Sequence, residues 1–147
     1  MWNFILRKAK EHMQDFRKLE AWQKSHAVVL RTYAVTANFP KTELFGLTPQ
    51  MRRASASIAA NIAEGCYRGQ RSLAHSLTVA LGSAGELEYF VILAGDLKLL
   101  SDVDRTKLAR DVSDVKAVVT GLLKAVKASI AAAKKANGKR PTVNGKR

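Results

Sequence analysis

Three kinds of side chain in this 147-residue chain could do chemistry: scattered carboxylates, three lone histidines and an excess of cations. Glu86 and Glu88 flank Leu87, and Glu64 closes the run Asn61-Ile62-Ala63. Paired carboxylates can do general acid–base work, but that also needs a pocket and shifted pKa values. The simpler expectation is structural: Glu64 or Glu86 pairs with Arg52 or Arg53 between helices, and these groups, with Asn61, fix register. His12, His26 and His75 lie on different segments, with no Glu-x-x-His pair of the kind that holds metals in helical bundles. His26 falls on an apolar face, as a hydrogen-bonded core histidine does. Cys66 is the single cysteine, so no intrachain disulfide can form, and it reads as a small, partly buried hydrophobe. No Gly-x-x-x-x-Gly-Lys phosphate loop is present, and Gly82-x-x-Gly85 sits in a helical pattern that follows no strand. The expectation is a protein that is not an enzyme, with no catalytic residues, no metal and no cofactor.

The cations suggest a different chemistry. Lys and Arg number 25 against 12 Asp and Glu, a formal charge of +13. The last fourteen residues hold Lys134, Lys135, Lys139, Arg140, Lys146 and Arg147 with no acid. Residues 76–100 run the other way, with Glu86, Glu88 and Asp96 against Lys98. Such asymmetry suits a polyanion partner, and phosphate contacts by Lys and Arg give affinity without base readout. Arg52, Arg53, Arg68 and Arg71 are the remaining candidates for nucleic-acid binding. A charge that only aids solubility is the competing explanation, and it makes the chain a protein-interaction scaffold.

These residues must be positioned by helices. All three prolines, 40, 49 and 141, lie outside the long apolar patterns or at their edges. Residues 1–15 form an amphipathic N-terminal extension with Trp2, Ile5, Ala9 and Met13 at helical spacing. A first long helix over 18–38 places Leu19, Trp22, His26, Val29, Tyr33 and Ala37 on one face and stops at Phe39-Pro40. Thr48-Pro49 has the form of a cap and first turn, and opens a second helix with Met51, Ala54, Ile58 and Ile62 inward. That helix ends at Ala63 to Tyr67, with Glu64-Gly65 as a stop signal. Ser72 caps a third helix reaching Leu100, whose stripe is Leu73, Leu77, Ala80, Ala84, Leu87, Val91 and Ala94. Val79, Phe90, Leu93 and Leu97 add a second apolar row, more than one bundle interior needs. Gly82 and Gly85 of this helix are expected to meet Ala59, Ala60 and Ala63 of the second closely. Ser101-Asp102-Val103-Asp104 has capping-box form, and a fourth helix follows with Leu108, Val112, Val115, Val119, Leu122, Val126 and Ser129 or Ile130 inward. The expected fold is all-α: an antiparallel up-down four-helix bundle over 16–133, with the short N-terminal helical extension and a disordered basic tail over 134–147. No unbroken apolar run approaches the ~20 residues of a membrane span, and the start does not read as a signal peptide. The expectation is a cytoplasmic protein.

The stretch Phe39-Pro40-x-x-Glu43-x-Phe45-Gly46-Leu47-Thr48-x-Gln50-x-Arg52-Arg53-Ala54-x-x-Ser57-Ile58-x-x-Asn61-Ile62-Ala63-Glu64-Gly65 is long and distinctive. With Ala80-x-Gly82-Ser83-Ala84-x-Glu86-Leu87-Glu88, it resembles the bacterial 23S rRNA intervening-sequence proteins over about residues 16–130. That resemblance implies a four-helix bundle, a ring of five subunits and no enzyme activity. The family is also similar in fold to the accessory variability protein of diversity-generating retroelements, which binds nucleic acid beside a reverse transcriptase. The resemblance carries over no binding residues, and residues 1–15 and 134–147 lie outside it. The reading is a non-enzymatic nucleic-acid-binding oligomer, RNA or DNA, with a reverse transcriptase as its partner.

Overall fold

A computed structural model describes residues 15–138. The N-terminal segment before them and the tail cations Lys139, Arg140, Lys146 and Arg147 lie outside the described residues. A 3-10 turn, Phe16–Lys18, precedes α1 (Glu20–Thr36). A second 3-10 turn, Lys41–Glu43, leads into α2 (Leu47–Tyr67), α3 (Gln70–Asp96) and α4 (Asp102–Asn137). Each helix packs on its neighbours in sequence, and α1 closes the bundle against α4. The pairings are antiparallel throughout. Arg52 reaches back to Thr36 and Tyr67 meets Phe16, Ser57 faces Ser83, and Lys116 faces Glu88. The up-down topology expected from the sequence is therefore the one observed.

The stripes of α2 and α3 are the expected ones. Met51, Ile58, Ile62, Leu77, Ala80, Leu87 and Ala94 are wholly buried. In α4 the same face holds Leu108, Val112, Val115, Val119, Leu123 and Val126, so Leu123 rather than Leu122 carries the fifth position. At roughly 25 cal/mol per Å² of apolar area removed from water, this continuous core is the main stabilising term. Ser101 caps α4 as expected, accepting from the Asp104 N–H at 3.0 Å. The last helix runs on through Asn137, so Lys134 and Lys135 are helical rather than part of a tail.

α1 departs from expectation. Its buried face is Ala21, Ser25, Val28, Thr32, Val35 and Thr36, one position off the stripe read from the largest side chains. Small and hydroxyl residues let α1 lie close, and two of the hydroxyls bond within their own helix. Ser25 Oγ donates to the Ala21 carbonyl at 2.6 Å and Thr36 Oγ1 to the Thr32 carbonyl at 2.7 Å. Thr32 Oγ1 is buried with no partner among the described residues. Trp22, His26, Val29 and Tyr33 are displaced to the flanks, and His26 is an exposed ring stacked on Trp22 at 4.9 Å rather than a core histidine.

The caps and glycines also differ. Gly46 precedes α2, and Glu43 Oε2 accepts the Leu47 N–H at 2.8 Å, doing the work expected of Thr48. α3 opens at Gln70, directly after Gly69, whose φ of 84° is the left-handed conformation that favours glycine. Ser72 is therefore inside the helix. Gly65 does not stop α2. A Cβ there would meet Leu73 Cδ1 and Ser76 Cβ at 2.9 Å, so it is Gly65 that allows close helix approach. A Cβ at Gly82 or Gly85 would meet nothing within 4 Å, and Ala60 is exposed, which overturns the expected contact at those positions.

Candidate nucleic-acid interface

The turn from α2 to α3 and the end of α4 sit at the same end of the bundle. The interhelical register puts Glu88 opposite Lys116, so α3 approaches the C-terminal turns of α4 as it runs back to Gln70. The gap between them is a cleft of about 300 Å³ lined by Gln70, Arg71, Ile130, Ala133, Lys134 and Asn137. Among the described residues, two cations, two amides and no carboxylate line this space. That donor set suits an anion with several acceptor oxygens, because Arg offers a planar fork and Lys a point charge.

More charge surrounds the cleft. Arg68 lies in the two-residue turn and Lys135 in the last turn of α4, both exposed. Arg68 donates to Glu64 Oε1 at 2.7 Å along one helix face. An exposed pair of this kind is worth little, so Arg68 remains able to exchange partners. Arg17 is held by Asp15 Oδ1 at 2.9 Å. Hydrogen bonds from Arg17 keep the Asp15 carboxyl below its ordinary pKa, and Asp15 raises that of Arg17. Cys66 is buried beneath this end. Burial pushes its thiol pKa up, and the nearby Asp15 charge adds to the effect, so it is an unreactive thiol.

The structure brings together Arg71 and Lys134, with Arg68 and Lys135 beside them, and leaves the other candidates apart. Arg52 belongs to the scaffold: Nε donates to Thr36 Oγ1 at 2.9 Å, and the guanidinium lies 4.5 Å from the Tyr33 ring centre. Arg53 is exposed on α2. Neither reaches Glu64 or Glu86, against expectation. Glu64 pairs within its own helix, and Glu86 forms no ion pair among the described residues. Among the described residues the interhelical ion pairs are Arg31 with Asp111, Lys116 with Glu88 and Arg105 with Asp96, none of them made by an arginine of α2. Asn61 does have a structural role: its Nδ2 donates to the Ser57 carbonyl at 2.8 Å, while Ser57 and Ser83 hydroxyls bridge α2 and α3 at 2.9 Å. Sequence reasoning missed Gln70, Ile130 and Asn137. Gln70 beside Arg71, after a glycine, was the available signal. Among the described residues no group of His, Cys, Asp and Glu could hold a metal ion.

A closed up-down bundle of four helices with a basic end defines a four-helix-bundle protein. The sequence profile of the 23S rRNA-intervening sequence protein family matches residues 17–121, and the chain belongs to that family. A similar solved structure is that of a protein of unknown function from the S23 ribosomal protein family of Bacteroides thetaiotaomicron VPI-5482. It is 21% identical, with a TM-score of 0.66 over 71% of this chain and 95% of that one, a likeness of fold. No curated protein matches the sequence.

Proposed function

We propose that this chain is a non-enzymatic, cytoplasmic, nucleic-acid-binding oligomer that takes phosphates at the basic end of its bundle. The observation that carries the reading is the cleft that Arg71 and Lys134 both line, with no carboxylate among the described residues that line it. The sequence continues past α4 with Lys139, Arg140, Lys146 and Arg147. A homo-oligomer, five subunits in a ring, accounts for a second feature. α3 holds an 18-residue window of mean hydropathy 1.4, apolar enough by composition to cross a membrane, of which only a third is buried. Interspersed Thr, Ser, Gly and Glu hide that window from a search for unbroken apolar runs. Association of copies would cover part of the remainder, and a ring would present several basic ends together, multiplying a weak single-site affinity. A reverse transcriptase is the partner this reading favours, because such an enzyme brings RNA and DNA to one place.

A salt titration of the full chain tests it, with duplex DNA, single-stranded DNA and RNA as probes. Light scattering should show an oligomer, and log affinity should fall with log salt by about 0.9 per duplex phosphate neutralised. No binding at low salt would leave the protein-interaction scaffold as the better reading.

A further inference from the structure

The basic end also carries an aromatic cluster that phosphate binding does not use. Tyr67, the last residue of α2, is 57% exposed. Phe16 braces it edge-on, with ring centres 6.2 Å apart at 66°. Phe16 in turn meets Trp22 at 5.0 Å, and Trp22 stacks on His26. Tyr67 is thus a positioned ring, ordered before any ligand arrives, with most of its surface still in water. Only Arg68 and Gly69 separate it from α3, so Tyr67 and Arg71 are at most about 14 Å apart along the backbone.

We propose that Tyr67 is a stacking platform for an unpaired nucleobase, making the ligand of this end a single strand. The proposal rests on the nucleic-acid reading above. Bases in a duplex already cover one another's faces and offer nothing to a lone tyrosine. A single strand frees those faces, and one that lays its phosphates on Arg71 and Lys134 can place a base against the ring. Stacking of this kind is sequence-tolerant because every base has a π face. An isolated exposed tyrosine has no such logic on a neutral surface. Within about 14 Å of Arg71 in a cleft lined by two cations, the ring can take a base of the strand whose phosphates the cations hold.

The test compares three fluorescein-labelled probes on the full-length protein: a thymidine 20-mer, an abasic strand of the same length, and a 20-base-pair duplex. The thymidine strand should bind at least about 5-fold more tightly than the abasic strand. Tyr67→Ala and Tyr67→Leu should both remove that advantage, leaving abasic and duplex affinities unchanged. Leu keeps the apolar contact with Phe16, so agreement between the two variants excludes a folding effect. Tyr67→Trp should restore or exceed the wild-type preference. Equal binding of thymidine and abasic strands by the wild type overturns the platform but leaves the phosphate cleft standing. So does a Tyr67→Leu variant that keeps the preference, as it would if residues 1–14 or a second copy covered the ring. Failure of the wild type to bind any probe overturns both readings.

Discussion

The two ends of the bundle differ in both connection and chemistry: a two-residue turn joins α2 to α3 at one, and longer connections join α1 to α2 and α3 to α4 at the other. At the end where α1 begins and α4 finishes, the connections and terminal turns hold Arg17, Lys18, Arg68, Arg71, Lys134 and Lys135 against Asp15, Glu20 and Glu64. The opposite end has Lys41, Lys98 and Arg105 against Glu43, Asp96, Asp102 and Asp104. It also exposes large apolar side chains, Leu44, Phe45, Leu97 and Val103, with Phe45 94% exposed. One end is therefore suited to a polyanion and the other to an apolar surface. Their helices also close differently. At the basic end Gly65 brings α2 against the backbone of α3, whereas at the neutral end Gly95 lies under the flexible side chain of Arg105. The close contact at Gly65 fixes how α2 meets α3, and so holds Arg68 and Arg71 on a packed frame.

Removing the charge should have the largest effect. An Arg68→Gln, Arg71→Gln, Lys134→Gln, Lys135→Gln variant should flatten the salt dependence of duplex binding by about 0.9 for each phosphate that is no longer neutralised. Lys41→Gln, Lys98→Gln and Arg105→Gln together should leave that slope unchanged. Equal reductions from both ends would mean the whole surface binds and the comparison fails.

The glycines sharpen it next. Gly65→Ala should lower stability by about 1–3 kcal/mol, read as a shift in urea midpoint, because Leu73 Cα and Ser76 Cβ cannot move aside. Gly95→Ala meets only the far part of Arg105, which can swing away, and the helix gains roughly 1 kcal/mol of propensity. That variant should be neutral or more stable. The smallest effect belongs to Phe45→Ser. A side chain in water should change stability by less than about 0.5 kcal/mol. A larger drop that grows on dilution would show that this apolar end is covered by another subunit.

The fold was legible because periodicity reports the face a helix buries. It failed in α1, where Ser25, Thr32 and Thr36 are among the buried positions, Ser25 and Thr36 bonding to their own helix, and size misled the reading. Hydroxyls that bond to their own helix can be buried at little cost, so polarity alone does not mark the outside. The cleft was half legible. Arg71 and Lys134 stood out by charge, but 63 positions separate them in the sequence and only the antiparallel return of α4 unites them. The pairing of Arg52 with Thr36 and Tyr33 was not readable, since it depends on how α1 and α2 are tilted together.

The length of α4 has a consequence for how binding could be felt by the protein. Its 36 residues compare with 17 in α1, and every residue from Ala131 to Gly138 is exposed. Those last turns have little tertiary packing to hold them, so they rest on alanine propensity and on the cooperativity of the helix–coil equilibrium. Lys134 and Lys135 lie side by side there, near the negative pole of the helix dipole, which favours them. A polyanion that binds only the helical form would draw this equilibrium further toward helix, by RT ln(1 + [L]/Kd). The C-terminus would then act as a coil-to-helix sensor of occupancy, and the helical circular dichroism signal would strengthen as the cleft fills.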